Sequence, residues 1–245
     1  MRRMSVVLIV LTALCAAPTI AQMPSGDSEI LASGAQLEVL HEGAFFTEGA
    51  AVAPDGSVYF SDITFTYATG EPPEAGHIMR YDPETGNTSV FRSPSGMSNG
   101  LKFDARGRLL ACEGADHGGR RVTRTDMTTG KAVILASHYN GNRLNAPNDL
   151  SLDEKGRIYF SDPKYLGPES MEQEVFGVYR IDPDGALTRI ITDAGKPNGV
   201  AVSPDQTTLY VVSNDNGSHA FDRLPEGAAP PQKGRMALLA YDLAE

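Results

Sequence analysis

The sequence predicts an all-β protein, a β-propeller built from four-stranded antiparallel blades. Three features point there. Four similar segments begin at Glu48, Asn99, Asn148 and Asn198, with starts separated by 51, 49 and 50 residues, and a period of that size marks an array of supersecondary units. Apolar residues inside each segment recur with period two, and nowhere after the amino-terminal segment does a run of about ten residues carry a helical period. The 25 glycines and 16 prolines punctuate short β-branched and aromatic runs, as turns punctuate strands.

Each copy opens on a polar side chain followed by an alternating pair of apolar residues. These pairs are Ala50/Val52, Leu101/Phe103, Leu150/Leu152 and Val200/Val202, which predict the first strands. A turn follows, with Gly56, Gly107 and Gly156 each eight residues after the opening residue. In the fourth copy Pro204-Asp205-Gln206 replaces that turn and one residue is inserted. Second strands are expected at Val58–Phe60, Leu109–Ala111, Ile158–Phe160 and Leu209–Val211. Third strands are expected at His77–Tyr81, Arg121–Arg124, Val178–Ile181 and Ala237–Tyr241, and fourth strands at Thr88–Arg92, Ala132–Ala136 and Leu187–Thr192. Four short strands per fifty residues describe a propeller blade. Leu37–Leu40, ahead of the first copy, reads as a further strand that closes a ring by pairing with a last blade.

Arg2 and Arg3 precede an apolar run from Val6 to Ala17 that ends at Thr19-Ile20-Ala21. A basic start, a short apolar stretch and a small-residue cleavage site predict a secretory signal peptide over 1–21. The run is shorter than the ~20 apolar residues that span a bilayer. The mature chain 22–245 is then expected in the periplasm or secreted, with no membrane association after cleavage. Removing 21 of 245 residues leaves 224, takes the net charge from -10 to -12 and removes Cys15. Cys112 is left without an internal disulfide partner and reads as a small buried hydrophobe. The acidic balance, with pI near 5.0, excludes a nucleic-acid partner and suits a cation. The mature length holds about four and a half repeats, and a closed ring needs a whole number. The expectation is therefore a partial propeller of about four blades, cut at its carboxy-terminal side, that exposes open edges and is poorly soluble and weakly active by itself.

In a propeller the first strand of each blade lines the central channel, so Glu48, Asn99, Asn148 and Asn198 are expected to converge as a ring of oxygens at one mouth. One carboxylate with several amide oxygens and no cysteine suits a hard divalent cation, Ca²⁺ before Mg²⁺ or Zn²⁺. Asn-Gly is also a favoured hairpin turn pair, which offers a metal-free reading of Asn99-Gly100 and Asn198-Gly199. Gly96-Met97-Ser98-Asn99-Gly100 matches the nucleophile elbow G-x-S-x-G, but an alternating strand follows where that motif needs a helix. His117 reads as a solvated loop residue, and Arg120, Arg121 and Arg124 as a solvated face. Glu113, fourteen residues after Asn99, matches Asp62 and Asp162 in neighbouring copies; it either caps a strand end or faces a substrate.

Asn99-Gly100-Leu101 through Gly107-Arg108-Leu109, Arg120–Arg124, Leu144-Asn145-Ala146-Pro147-Asn148-Asp149, Tyr159–Pro163 and Pro197-Asn198-Gly199 together resemble the gluconolactonase/senescence-marker-protein (regucalcin) family of six-bladed propellers. The resemblance runs from about Leu37 to Glu245 and implies a hydrolase of sugar lactones. It implies a divalent metal, often Ca²⁺, held by Glu48, Asn148 and Asn198, with Asn148 also touching substrate. Asn99 and Glu113 complete the expected substrate-binding set. The family's second acidic metal ligand, an Asp of a later blade, has no counterpart before Glu245, and Ala50-Ala51-Val52 stands where the family has Pro-Val-Trp. The cation would polarise the lactone carbonyl, and Asp149 is the nearest candidate for the catalytic base. Two alternatives stay open: a noncatalytic propeller binding a sugar or protein on the same face, and a phosphotriesterase-type hydrolase. Cleavage is expected after Ala21, so amino-terminal sequencing of exported protein should begin at Gln22; an intact Met1 in exported material would refute the signal peptide.

Overall fold

The computed structural model describes residues 31–32, 34–65 and 74–244. The expected signal peptide at 1–21 lies outside them. The chain divides into two units, Met1–Val39 and Leu40–Glu245. Leu37–Leu40, expected as a strand, carries none. Its alternation is right for a strand, but no described segment pairs with it, and a strand exists only through its ladder.

The second unit is all-β, with no α-helix among the described residues. Its first blade is β1 (Thr47–Val52), β2 (Val58–Asp62), β3 (His77–Asp82) and β4 (Asn87–Arg92). The second is β5 (Ser98–Phe103), β6 (Leu109–Glu113), β7 (Arg121–Thr125) and β8 (Ala132–Ala136). A small hairpin follows, β9 (His138–Tyr139) with β10 (Asn142–Arg143), which the repeat pattern does not announce. The third blade is β11 (Leu150–Leu152), β12 (Ile158–Asp162), β13 (Gly177–Ile181) and β14 (Leu187–Ile191). The fourth has three strands, β15 (Pro197–Val202), β16 (Thr208–Asn214) and β17 (Met236–Asp242). Strands follow sequence order within every blade and every pair is antiparallel. The four blades are arranged as in a β-propeller, as the period of fifty predicts.

The turn between first and second strands is the same in all copies. Gly56, Gly107 and Gly156 have φ of +84°, +69° and +79°, and Gln206 takes the slot in the fourth copy at +65°. Each donates its N–H to the carbonyl three residues back, at 2.9–3.0 Å. Glycine adopts this backbone without strain; in the fourth copy the Gln206 side chain reaches back to the Ser203 carbonyl at 3.2 Å and supports the turn another way.

The second strands β6 and β12 are buried on both faces, which explains their continuous apolar runs, whereas β16 exposes Tyr210 and Val212 on one face. Leu109 and Ala111 pack with Tyr59, Ile78 and Leu101 between the first two blades. Leu110 and Cys112 point the other way, to Leu150, Phe160 and Tyr179. Tyr159 in turn meets Val200, Leu209 and Val211 of the fourth blade. Cys112 is thus a core residue, and burial pushes its thiol well above the usual range.

The inner strands pack side by side, β1 against β5, β5 against β11 and β11 against β15. In β1, β5 and β15 the pairing register breaks at the opening residue, between Glu48 and Ala51, Ser98 and Leu101, and Pro197 and Val200. Such bulges re-aim side chains next to sites. Neighbouring strands come so close here that a Cβ on Gly49 would lie 2.0 Å from the Asn99 carbonyl oxygen. On Gly100 it would lie 2.6 Å from Asp149 Oδ1 and 2.8 Å from the Asn148 carbonyl oxygen. Gly86 also has positive φ (+69°) but open space around it, so Gly86→Ala isolates backbone strain, about 1–2 kcal/mol. Gly49→Ala should add about 1–3 kcal/mol of overlap, giving a clearly lower midpoint than Gly86→Ala in urea denaturation; equal midpoints would refute the close approach.

Candidate active site

Glu48, Asn99, Asn148 and Asn198 all line one cavity of about 230 Å³. The four repeat starts are therefore brought together at one cavity. Asn99, Asn148 and Asn198 are each held at their backbone carbonyl by a hydrogen bond from the preceding blade. Ser61 Oγ donates to the Asn99 carbonyl at 2.8 Å, and Ser161 Oγ to the Asn198 carbonyl at 2.5 Å. Gly100 N–H donates to the Asn148 carbonyl at 2.7 Å, and Asn148 N–H to the Ser161 carbonyl at 2.9 Å. Asn99-Gly100 and Asn198-Gly199 lie inside β5 and β15, so the hairpin-turn reading of these pairs does not apply. Gly100 answers the crowding between strands, whereas a Cβ on Gly199 would meet only ordinary contacts, the nearest with Val212 at 3.4 Å.

Glu48 is the carboxylate of this lining. Burial, the main cause, and the charge of Asp149 push its carboxyl above the ordinary range, against the lowering effect of the Gly49 backbone N–H. A desolvated carboxylate surrounded by amide oxygens suits a hard cation, which would relieve the penalty on the charged form. The donor set fits the expected metal. No group of three or more His, Cys, Asp or Glu side chains gathers among the described residues, so a cation here would rest on amide oxygens beside the one carboxylate.

Asp149, expected as the base, lies next to Gly100, and its Oδ2 accepts the Val200 N–H at 3.0 Å. Burial raises its pKa, opposed by the Val200 and Leu150 N–H groups. Its carboxylate joins the third blade to the fourth, two residues beyond Asn198. The repeated acids at the ends of second strands have the same character. Asp62 Oδ1 accepts the N–H groups of Phe45 and Phe46 at 2.8 and 3.0 Å. Asp162 accepts those of Asn145 and Ala146 at 2.9 and 2.8 Å. Each acid grips the segment that delivers a ring residue two or three positions later. Glu113 is 1 % exposed and binds Arg121 Nε at 2.7 Å and the Thr123 hydroxyl at 2.9 Å. Of the two roles read from the sequence, its contacts match strand capping.

Arg120 corrects the expected solvated face. It is 4 % exposed, and its Nε donates to the carbonyls of Leu144 and Asn145. Only that placement satisfies two carbonyls stranded in the turn before Asn148. Ser98 of the G-x-S-x-G match is fully buried and accepts a hydrogen bond from the Ser61 hydroxyl at 2.9 Å. His117 is exposed in its loop, as expected.

Sequence reasoning missed the rest of the lining, which includes Phe46, Met97, Phe65, Leu166, Tyr165 and Asn214. A signal was present. Phe46, Met97 and Ala146 each stand two residues before a ring member, and Phe65 and Tyr165 each stand three residues after a second-strand acid. The Tyr165 hydroxyl donates to the Lys196 carbonyl at 3.2 Å and contacts the Asn198 side chain, while burial pushes its pKa to about 12. It stays a neutral phenol.

The sequence pattern of the SMP-30/Gluconolactonase/LRE-like region matches residues 46–233. The chain belongs to this family. The match contains all four ring residues. The gluconolactonase of Zymomonas mobilis is 32 % identical over 208 residues, covering 77 % of this chain and 54 % of that protein. Lactonohydrolase oryL of Aspergillus oryzae is 28 % identical, covering 79 % and 47 %. The solved structure of a gluconolactonase from Xanthomonas campestris superposes with a TM-score of 0.68 at 30 % identity, covering 86 % of this chain and 62 % of that one. The chain spans about half the length of these curated relatives.

The contacts of Glu113 give a direct test of its role in this family member. Glu113→Ala should lower stability by about 1–3 kcal/mol, because it strips a buried carboxylate from Arg121, which is itself partly exposed. Unchanged denaturation midpoints together with weaker ligand binding would instead mark it as a substrate contact.

Proposed function

We propose that this protein hydrolyses lactones, with a divalent cation, Ca²⁺ ahead of Mg²⁺ and Zn²⁺, held at the channel mouth by Glu48, Asn148 and Asn198. The observation that carries this reading is the convergence of four repeat-start side chains on one cavity, with a desolvated carboxylate among amides. Relatives named gluconolactonase and lactonohydrolase support the reaction class, and their names make sugar lactones the natural first substrates to assay.

When bound, such a cation acts as a Lewis acid on the ester carbonyl and steadies the oxyanion formed as water attacks. The chain's own residues do the positioning. Glu48 supplies the negative charge of the ring. Asn148, nearly buried and fixed through its backbone on both sides, presents its amide at a set height. Asn99 faces the same cavity and is assigned to a substrate oxygen. Asp149 is assigned to positioning, since its carboxylate holds Val200 and through it the strand that carries Asn198. Met97, Ile63 and Phe65 exclude bulk water from one side, which strengthens every electrostatic contact at the mouth.

We further propose export, to the periplasm or the medium, on the strength of the Arg2–Ala21 segment. The metal assignment is tested by calorimetric titration with Ca²⁺. Glu48→Gln should weaken affinity by about tenfold or more, since charge count sets Ca²⁺ affinity, and Asn99→Ala should matter less. Equal affinities for wild type and Glu48→Gln would overturn the site, and cation binding without lactone turnover would favour the noncatalytic reading.

A further inference from the structure

We infer that this mouth selects lactones bearing an apolar alkyl or aryl substituent over polyhydroxylated sugar lactones. The inference rests on the lactone reading of the site and deepens it. The cavity has two chemically different parts. The inner strands contribute Glu48, Asn99 and Asn198, and Asn148 stands two residues ahead of β11. The segments leading into and out of the strands contribute Phe46, Ile63, Phe65, Met97 and Leu166.

The apolar part is built as a unit. Ile63, Ala75 and Met97 form a hydrophobic cluster of their own, with Phe65 and Leu166 packed against it, separate from the three cores between blades. Phe46 meets Phe65 edge to face, with ring centroids 5.4 Å apart. Two of these residues hold unusual backbone. Phe65 has φ of +45° and Met97 of +57°, a region that bulky side chains occupy only when the surroundings enforce it and that gathers at ligand sites. Large apolar side chains thus stand at the mouth on backbone that only glycine would adopt without penalty.

Hydrophilic side chains around this wall are turned toward protein. Lys164 Nζ donates to the carbonyls of Leu166 and Gly167, both at 2.8 Å. The Thr64 hydroxyl accepts the Gly76 N–H at 3.1 Å and contacts Met97 Sδ. Ser61 and Ser98 bind each other, and Arg120 is committed to two backbone carbonyls. Among the described lining residues no Lys, Arg, His, Ser or Thr faces the cavity. A sugar lactone carries several ring and side-chain hydroxyls, each of which loses water on entry and needs a partner. The ring oxygens and the nearby Asn214 can serve the ester and one or two hydroxyls, and the rest would meet phenyl rings and a thioether. An alkyl or aryl substituent gains contact there instead.

The test compares glucono-1,5-lactone with δ-octalactone, two six-membered lactones, on the full chain with Ca²⁺ present. The expected result is a kcat/KM at least about tenfold higher for δ-octalactone, the scale on which apolar pockets discriminate. Phe46→Asn, at a half-exposed position that leaves the core intact, should shrink that ratio. Equal or reversed preference overturns the inference and leaves lactone hydrolysis standing. Calorimetry with the inert ring analogues 6-propylpiperidin-2-one and gluconolactam separates the two ideas when turnover is lacking. Tighter binding of the propyl lactam without hydrolysis of either lactone supports the apolar mouth and overturns the hydrolase reading, whereas binding of neither lactam and hydrolysis of neither lactone overturns both.

Discussion

Inner strands approach so closely at the channel mouth that Gly49 and Gly100, the residues after Glu48 and Asn99, have no room for a side chain. A Cβ on Gly49 would overlap the Asn99 carbonyl, and one on Gly100 the Asp149 side chain and Asn148 backbone. Glycine is required by that approach, and at Gly49 also by a positive φ of +59°. The bulge it permits turns the preceding polar residue toward the channel. Ring geometry is thus a consequence of blade packing. The pairs Glu48-Gly49 and Asn99-Gly100 thus combine a chemical residue with a packing residue.

The second strands then fix what the inner strands present. Ser61 and Ser161, one residue before the acids Asp62 and Asp162, hold ring carbonyls of the following blade, while the acids hold the entry to their own blade's inner strand. In the second blade the same two slots are Cys112 and Glu113. Cys112 cannot donate as a hydroxyl does, and it joins the core between the second and third blades. There the Asn148 carbonyl takes the Gly100 N–H instead. Glu113, one methylene longer than aspartate, reaches Arg121 and Thr123 on the neighbouring strand. A cavity lining of fixed geometry is reached by different local contacts in different copies.

Blade strands and the ring were legible because both depend on a repeated register. Period two along buried strands finds every first and second strand, with ends within about three residues, and equivalence of position places Glu48, Asn99, Asn148 and Asn198 at one cavity. Residues whose placement depends on long-range partners were not legible. Arg120 looks like a surface charge beside Arg121 until the turn at Leu144 and Asn145 brings two unpaired carbonyls to it. Leu37–Leu40 alternates like a strand yet finds no ladder. The left-handed backbone at Phe65 and Met97 has no sequence mark, since neither is glycine or asparagine, so the apolar wall emerges only from the fold.

A single carboxylate in the ring follows from the charges behind it. Glu48 already feels Asp149 and the penalty of burial, both of which disfavour its ionised form. A second ring carboxylate in place of Asn99 or Asn148 would add like charge within the same small cavity, and one of the pair would take up a proton. Amides avoid this, because they offer carbonyl oxygens to a cation, or N–H groups to an anionic transition state, without further charge. Three Asn residues around one Glu therefore keep the mouth responsive to a cation while leaving the remaining wall free to be apolar. Neutral amides beside Met97 and Phe65 carry a smaller desolvation burden than carboxylates would, so the oxygen ring and the apolar wall can share one cavity.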